Sequence, residues 1–282
     1  MSDPRDPIFD FLRPHLKEGW NFPGGVEQMH RHLDLLGARK AGEQPPLNTP
    51  VPIVFTGKAG FADQAAEDRF FAELRNTTLF PRGLVQSQVE GIKAKIVAYA
   101  AANWPVSYAA CGMATSYWET GKTMQPVREK GSGDGPDADK WDDYLERYDT
   151  GPLAIRLGNT PEADGDGVAT AGKGDVQLTG VRNYRVATEK LRERGIIGPE
   201  IDLVKNPELV LRPDLSAAIM VLGMEEGWFT GKKLADYLPG KGPATFEQLK
   251  QTRRIINGVD HWVEIANAAM LWQQCFVAGG WK

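Results

Sequence analysis

The sequence predicts a mainly α-helical protein with at most a small sheet. Three observations carry that prediction. Apolar residues recur at three- and four-residue spacing through most of the chain. These periodic segments are bounded by helix signals, such as Asn206-Pro207 before one and Gly279-Gly280 after another. The two-residue alternation of half-buried strands is scarce. At 282 residues the chain suffices for one large domain, alone or with a small appendage, and its charged and hydrophobic fractions of 25% and 41% exclude wholesale disorder.

Residues 1–37 read as a small helical unit of unassigned role. Phe9, Leu12 and Leu16 space as one short helix, and Val26, Met29, Leu33 and Leu36 as a second that Gly37 stops. Two such helices bury too little to form a core alone. Residues 38–63, with Gln44-Pro-Pro46 and Thr49-Pro-Val-Pro52, read as a linker in which Val51 to Phe55 is a candidate edge strand. The main domain, residues 64–282, opens with a helix around Phe70, Phe71 and Leu74. A stronger helix follows, with Val85, Val89, Ile92, Ile96 and Val97 expected on one face. Pro105 lies near the first turn of the next, whose Ala109, Ala110, Cys111, Gly112, Met113 and Ala114 are slim enough for close packing on most sides.

Beyond it come a Gly/Asp-rich loop, residues 131–139, and a short helix holding Trp141, Tyr144, Leu145 and Tyr148. A long irregular stretch runs from Thr150 to Gly174, a length that in a compact domain points to function. Its Ala163-Asp-Gly-Asp-Gly167 run lacks the ligand spacing and terminal glutamate of an EF-hand loop and reads as turn chemistry. The remainder is helical: Arg182 to Glu193, a segment after Pro207, and one after Pro213 carrying Leu215, Ala218, Ile219 and Leu222. Thr245 and Gln248 form a capping box for a further helix, and Asp260 is placed to cap the last, which carries Trp262, Ile265, Ala269, Trp272 and Phe276.

Composition narrows the function classes. A net charge of -4 gives no global reason to expect nucleic-acid binding, and Arg182, Arg185, Arg192 and Arg194 read as a solvated helix face. Cys111 and Cys275 sit in apolar helical patterns as free buried thiols, and no spacing of His15, His30, His32 and His261 suggests a metal site, so neither metal nor cofactor is expected. The polar, acidic start lacks a signal-peptide pattern and no stretch is apolar and long enough to span a membrane, so synthesis and residence in a cytoplasm are expected.

The chemistry centres on Glu119 and Glu129. Glu119 ends an apolar helix, and Gly121 and Pro126 then break it and leave Glu129 on irregular chain. Ten helical steps would set the two acids roughly 80° out of register, so they can face each other only if the loop folds back across a cleft. A buried acid opposite a more exposed one is what glycoside hydrolysis uses. Downstream, alternation through Gly172-Lys-Gly-Asp-Val-Gln-Leu-Thr-Gly180 would put Asp175, Gln177 and Thr179 on one side, a polar row suited to sugar hydroxyls.

Three separated pieces resemble glycoside hydrolase family 19, the plant-type chitinases and related phage and bacterial endolysins, in the right order. Trp118-Glu-Thr-Gly121 stands where members carry a His-Glu-Thr-like motif, and the string from Glu119 to Glu129 is similar to the phage-type branch. Gly172-Lys-Gly-Asp-Val-Gln-Leu-Thr179, followed by Asn183-Tyr184, resembles the Gly-Arg-Gly-x-x-Gln-Leu-Thr/Ser segment, and Ile255-Ile-Asn-Gly258 the Ile-Asn-Gly segment. The match runs from about Phe70 to the last residue. It implies a lysozyme-like, two-lobed helical domain that inverts at the anomeric carbon. By position, Glu119 would be the general acid and Glu129 the general base. Thr179 would help hold the attacking water, and Gln177, Asn183, Tyr184 and Asn257 would line the sugar groove. An inverting pair needs roughly 6.5–9.5 Å between carboxyl groups. Peptidoglycan glycan strands are the implied substrate and chitin oligomers the alternative. Release to a wall would need a separate pore-forming protein, or carriage in a virion. Trp118, Lys173 and Asp175 depart from the family pattern, as do Ala169 to Ala171, and leave open a wall-binding or structural module on the same fold.

Overall fold

A computed structural model describes residues 59–129 and 145–282. The chain divides into two units, Met1–Pro52 and Ile53–Lys282, and every described residue belongs to the second. The expected helices of residues 1–37, the strand at Val51 to Phe55, the loop at 131–139 and the start of the Trp141 helix lie outside the described residues.

The described residues are mainly helical, with one two-stranded sheet. Helix α1 spans Gln64–Asn76, capped by Asp63, whose carboxylate accepts from the Ala66 N–H at 2.8 Å, and it buries Phe70, Phe71 and Leu74. Helix α2 spans Gln86–Ala101. Its inward face keeps Val89, Ile92 and Ile96 of the expected five but not the other two. Ile92, Ile96 and Tyr99 are buried beside Gly91, Lys95 and Ala98, whereas Val85 and Val97 are exposed. Val85 precedes the first turn, and Val97 sits 100° around the helix from Ile96. Helix α3, Val106–Glu119, is buried from Val106 to Tyr117 except at Tyr108, as its slim side chains predicted. Gly112 is required there, because a Cβ would lie 2.6 Å from the Tyr99 hydroxyl and 2.7 Å from the Trp104 ring.

The stretch from Thr150 to Gly174 is not irregular throughout. It holds α4, Gly151–Leu157, started by Pro152 and stopped by left-handed Gly158, and α5, Asp166–Ala169. Both are too short for a hydrophobic period to register. Helix α6 is Val181–Glu193, and Pro207–Leu211 is a 3-10 turn. Helix α7, Pro213–Glu226, packs on α2. Helix α8, Phe246–Gln251, carries the predicted Thr245–Gln248 capping box and runs into a 3-10 turn, Thr252–Ile255. Helix α9, Trp262–Ala278, packs along α1 and α3. His261, not Asp260, holds its N-cap position, with φ 52°. Strand β1, Val127–Arg128, pairs antiparallel with β2, Lys173–Gly174, in the register Val127↔Gly174. Trp104, Trp272, Tyr99, Tyr184, Phe70 and Phe276 are the largest fully buried aromatic side chains of the core. Among the described residues no helix is long and apolar enough to cross a membrane.

Candidate active site

Glu119 is the last residue of α3. Left-handed Gly121 and Lys122 stop the helix, and Thr120 caps it by donating its hydroxyl to the Ser116 carbonyl at 2.7 Å. An acid at a helix C-terminus faces the negative end of the dipole, so it needs a cation. Arg253, from the 3-10 turn after α8, supplies it through a direct guanidinium–carboxylate contact. Arg253 is buried and is gripped in turn by Asp260, whose Oδ2 accepts from its Nη2 at 3.0 Å and whose carbonyl accepts from Nε at 3.3 Å. Burial works against the Arg253 charge, but the Asp260 hydrogen bond and the Glu119 carboxylate outweigh it and hold the group above its ordinary value. The same hydrogen bond from Arg253 holds the Asp260 carboxyl below its ordinary value. Asp260, expected as a helix cap, is therefore committed to Arg253. Trp118 packs its ring on His261, centroids 4.8 Å apart.

Glu129 follows β1 and is fixed by its backbone and its side chain. Its N–H donates to the Gly172 carbonyl at 2.6 Å, and its Oε2 accepts from the Gly172 N–H at 3.1 Å. Its Oε1 accepts from the Tyr148 hydroxyl at 2.7 Å and from Arg147 at 3.3 Å. Arg147 also donates to the Tyr148 hydroxyl at 2.7 Å and lies over its ring. Burial and then the Glu129 bond push Tyr148 up to about 12. A Cβ at Gly172 would sit 2.8 Å from Gln177 Oε1 and 2.9 Å from Glu129 Oε2, so a larger residue there would displace one of those side chains. The contrast expected between a buried acid and an open base is absent: side-chain exposure is 16% for Glu119 and 19% for Glu129. What separates them is their partners.

The segment after Gly172 is a tight loop rather than an extended strand, which corrects the expected polar row. Lys173 and Leu178 exchange both backbone hydrogen bonds, 3.1 and 2.8 Å, around left-handed Gly174 and Gln177. Asp175 consequently turns inward and is fully buried. Gln177 donates to the Val127 and Gly174 carbonyls, and the Thr179 hydroxyl donates to the Gln177 carbonyl at 2.8 Å. Asn183 donates to the Thr179 carbonyl at 2.8 Å. Tyr184 is fully buried, its hydroxyl on the Ala171 carbonyl, so it supports the loop from beneath and cannot line a groove. Asn257 is exposed just past the turn that carries Arg253, and its N–H donates to the Arg253 carbonyl. Lys173 is buried, donates to the Ala169 carbonyl at 2.7 Å, and is lowered by that burial.

Glu129, Thr179, Gln177 and Asn183 are thus tied into one loop system, and Glu119 is tied to the turn that bears Asn257. Sequence reasoning missed Arg253, Asp260, Arg147 and Tyr148. Arg253 lies two residues before the Ile255–Gly258 motif, which was its only signal, and Tyr148 passed for an apolar helix position. The Asp-Gly run bends into the start of α5, and Asp149 accepts from the Gly165 and Gly167 N–H groups at 2.9 and 2.7 Å. It also brings Asp149, Asp164 and Asp166 oxygens within 4.8 Å of one another, the one such acidic group among the described residues.

No protein-family model and no curated protein matches the chain. Two solved structures are similar to it. Chitinase C from Streptomyces griseus is 19% identical, with a TM-score of 0.42 over 75% of this chain and 77% of that one. A chitinase C mutant is 17% identical, with a TM-score of 0.43 over the same shares.

Proposed function

We propose that the protein is an inverting glycoside hydrolase acting on β-1,4-linked amino-sugar polymers, with Glu119 as general acid and Glu129 as general base. One observation carries the reading: the two glutamates of the motif string are each held by dedicated buried partners while keeping part of the carboxylate open to solvent. A solvated loop charge has no need of a buried guanidinium or a phenol. Glu129 takes three donors on its two oxygens, and a carboxylate offers about four acceptor sites, so one remains for a water. A general base needs such an open acceptor site within hydrogen-bond reach of the water it activates.

Within that reading peptidoglycan is the substrate, because the string from Glu119 to Glu129 resembles the phage-type branch. Turbidity clearing of outer-membrane-permeabilised bacterial cells tests it. Wild type should clear them, and Glu119→Gln and Glu129→Gln should each lose on the order of 10²–10⁴ in rate. Mass analysis of the digest should find reducing-end muramic acid. Reducing-end glucosamine, or turnover of chitin oligomers alone, would move the assignment to a glucosaminidase or a chitinase. Absence of turnover on both polymers would leave the wall-binding module, the reading favoured by Trp118, Lys173 and Asp175, of which the last two have structural tasks here.

A further inference from the structure

The most deeply buried ion pair in the described residues is Lys95–Asp175, both side chains with no exposed surface, at 2.7 Å. Every polar atom of the pair has a partner. Lys95 also donates to the Gly91 carbonyl at 3.3 Å and the Met124 carbonyl at 2.9 Å, which uses its three protons. Asp175 Oδ1 accepts from Ser116 and Oδ2 from Ser216, each at 2.7 Å, and its N–H donates to the Ser216 oxygen at 2.7 Å. A buried pair of this kind is no better for stability than well-packed apolar side chains, but it is directional. The directions matter here. Ser116 is one helical turn before Glu119. Asp175 is three residues past Gly172, which bonds Glu129 twice. Met124 lies in the connection between the two glutamates, with φ 57°.

We propose that Lys95 and Asp175, with Ser116, are positioning residues that fix Glu119 relative to Glu129. This rests on the reading of those two as acid and base. Ser116 links the Asp175 loop to the helix that ends in Glu119. Ser216 links that loop to α7, which carries neither acid, and so leaves the coupling between the glutamates whole.

The two serines make a matched test in the full chain, because each is fully buried and loses the same hydroxyl. Ser216→Ala also orphans the Asp175 N–H, so it should lower the melting midpoint more. Ser116→Ala should lower it less, yet reduce kcat about tenfold or more at nearly constant KM, since misplacement by about 1 Å can cost roughly 10²-fold. Ser216→Ala should keep kcat within about threefold, because a loss confined to stability leaves the reacting geometry intact. Losses of kcat that follow the melting order, or wild-type kcat in Ser116→Ala, overturn the proposal. Should Ser116→Ala fail to fold, Ser116→Cys retains the volume and a weaker donor, and the same kcat loss is expected in smaller measure. Carboxyl 13C signals of Glu119 and Glu129 provide a readout without turnover. They should move in Ser116→Ala and stay in Ser216→Ala. Unmoved signals in Ser116→Ala overturn the positioning role even if wild type is active. An inactive wild type overturns the hydrolase reading and leaves these signals to decide the positioning role.

Discussion

Tyr148 shows how much of the site rests on single side chains with no motif of their own. It donates to Glu129 at 2.7 Å and receives Arg147 at the same distance, so the phenol relays a guanidinium to the carboxylate. A hydrogen bond to a charged group contributes roughly 1.5–3 kcal/mol, and Glu129 loses it if Tyr148 ionises. Burial, reinforced by Glu129, raises Tyr148 to about 12. A group raised in the folded state contributes stability that is complete below the unfolded value of about 10 and is lost as pH climbs through the folded one. The window for Tyr148 is therefore alkaline. Phenolate absorbance titrations of wild type and Tyr148→Phe should differ by one tyrosine with a midpoint near 12. A difference curve centred near the ordinary value of about 10 would show that Tyr148 is neither buried nor bonded to Glu129 in this way. Neither Tyr148 nor Arg253 was legible as a site residue, because each acquires its role from a partner distant in sequence: Glu129 for one, Glu119 for the other.

At the scale of elements, what was legible follows from periodicity and what was not follows from its absence. Helix α3 was readable to its last residue, since slim side chains and the break at Gly121 both announce themselves. So was the capping box at Thr245. The loop after Gly172 was not, because its strands are two residues long and its second left-handed residue is Gln177, not a glycine. The inward face of α2 was legible only in part for a related reason: beside Ile92 and Ile96 it holds a glycine and a lysine. Gly91 lets the helix meet the chain after Glu119, where a Cβ would come 1.9 Å from the Met124 carbonyl oxygen. In an open helix Gly→Ala would stabilise by about 1 kcal/mol. Here backbone must move, so Gly91→Ala should destabilise by about 1–3 kcal/mol, as overpacking does, and should lower the urea midpoint. A raised midpoint would mean that α2 and the Met124 loop do not touch.

For the molecule as a whole, the packed body reaches back past the expected domain start at Gln64. Gly60 and Lys282 exchange backbone hydrogen bonds at 3.1 and 3.3 Å, which brings the two ends of the described body together. Phe61 seals that clasp. Its ring lies 5.3 Å from Phe70, 6.2 Å from Phe276 and 5.0 Å from Trp281, so α1, α9 and the residue before the last meet on it. Gly279 is open to receive it, as a Cβ there would fall 2.5 Å from the ring. A fully buried Phe→Ala costs about 3–5 kcal/mol, and Phe61 is only half-buried, so about 2 kcal/mol is expected for Phe61→Ala. In a body of this size that lowers Tm by roughly 4–8 °C. Clearing activity per folded molecule should persist, because Phe61 touches neither Glu119, Glu129 nor the groups that hold them. A melting point unchanged by Phe61→Ala would place residues 59–63 outside the cooperative unit, as the linker reading of the sequence expects. The predicted drop would instead assign them to it, and with them the pairing of Gly60 to Lys282.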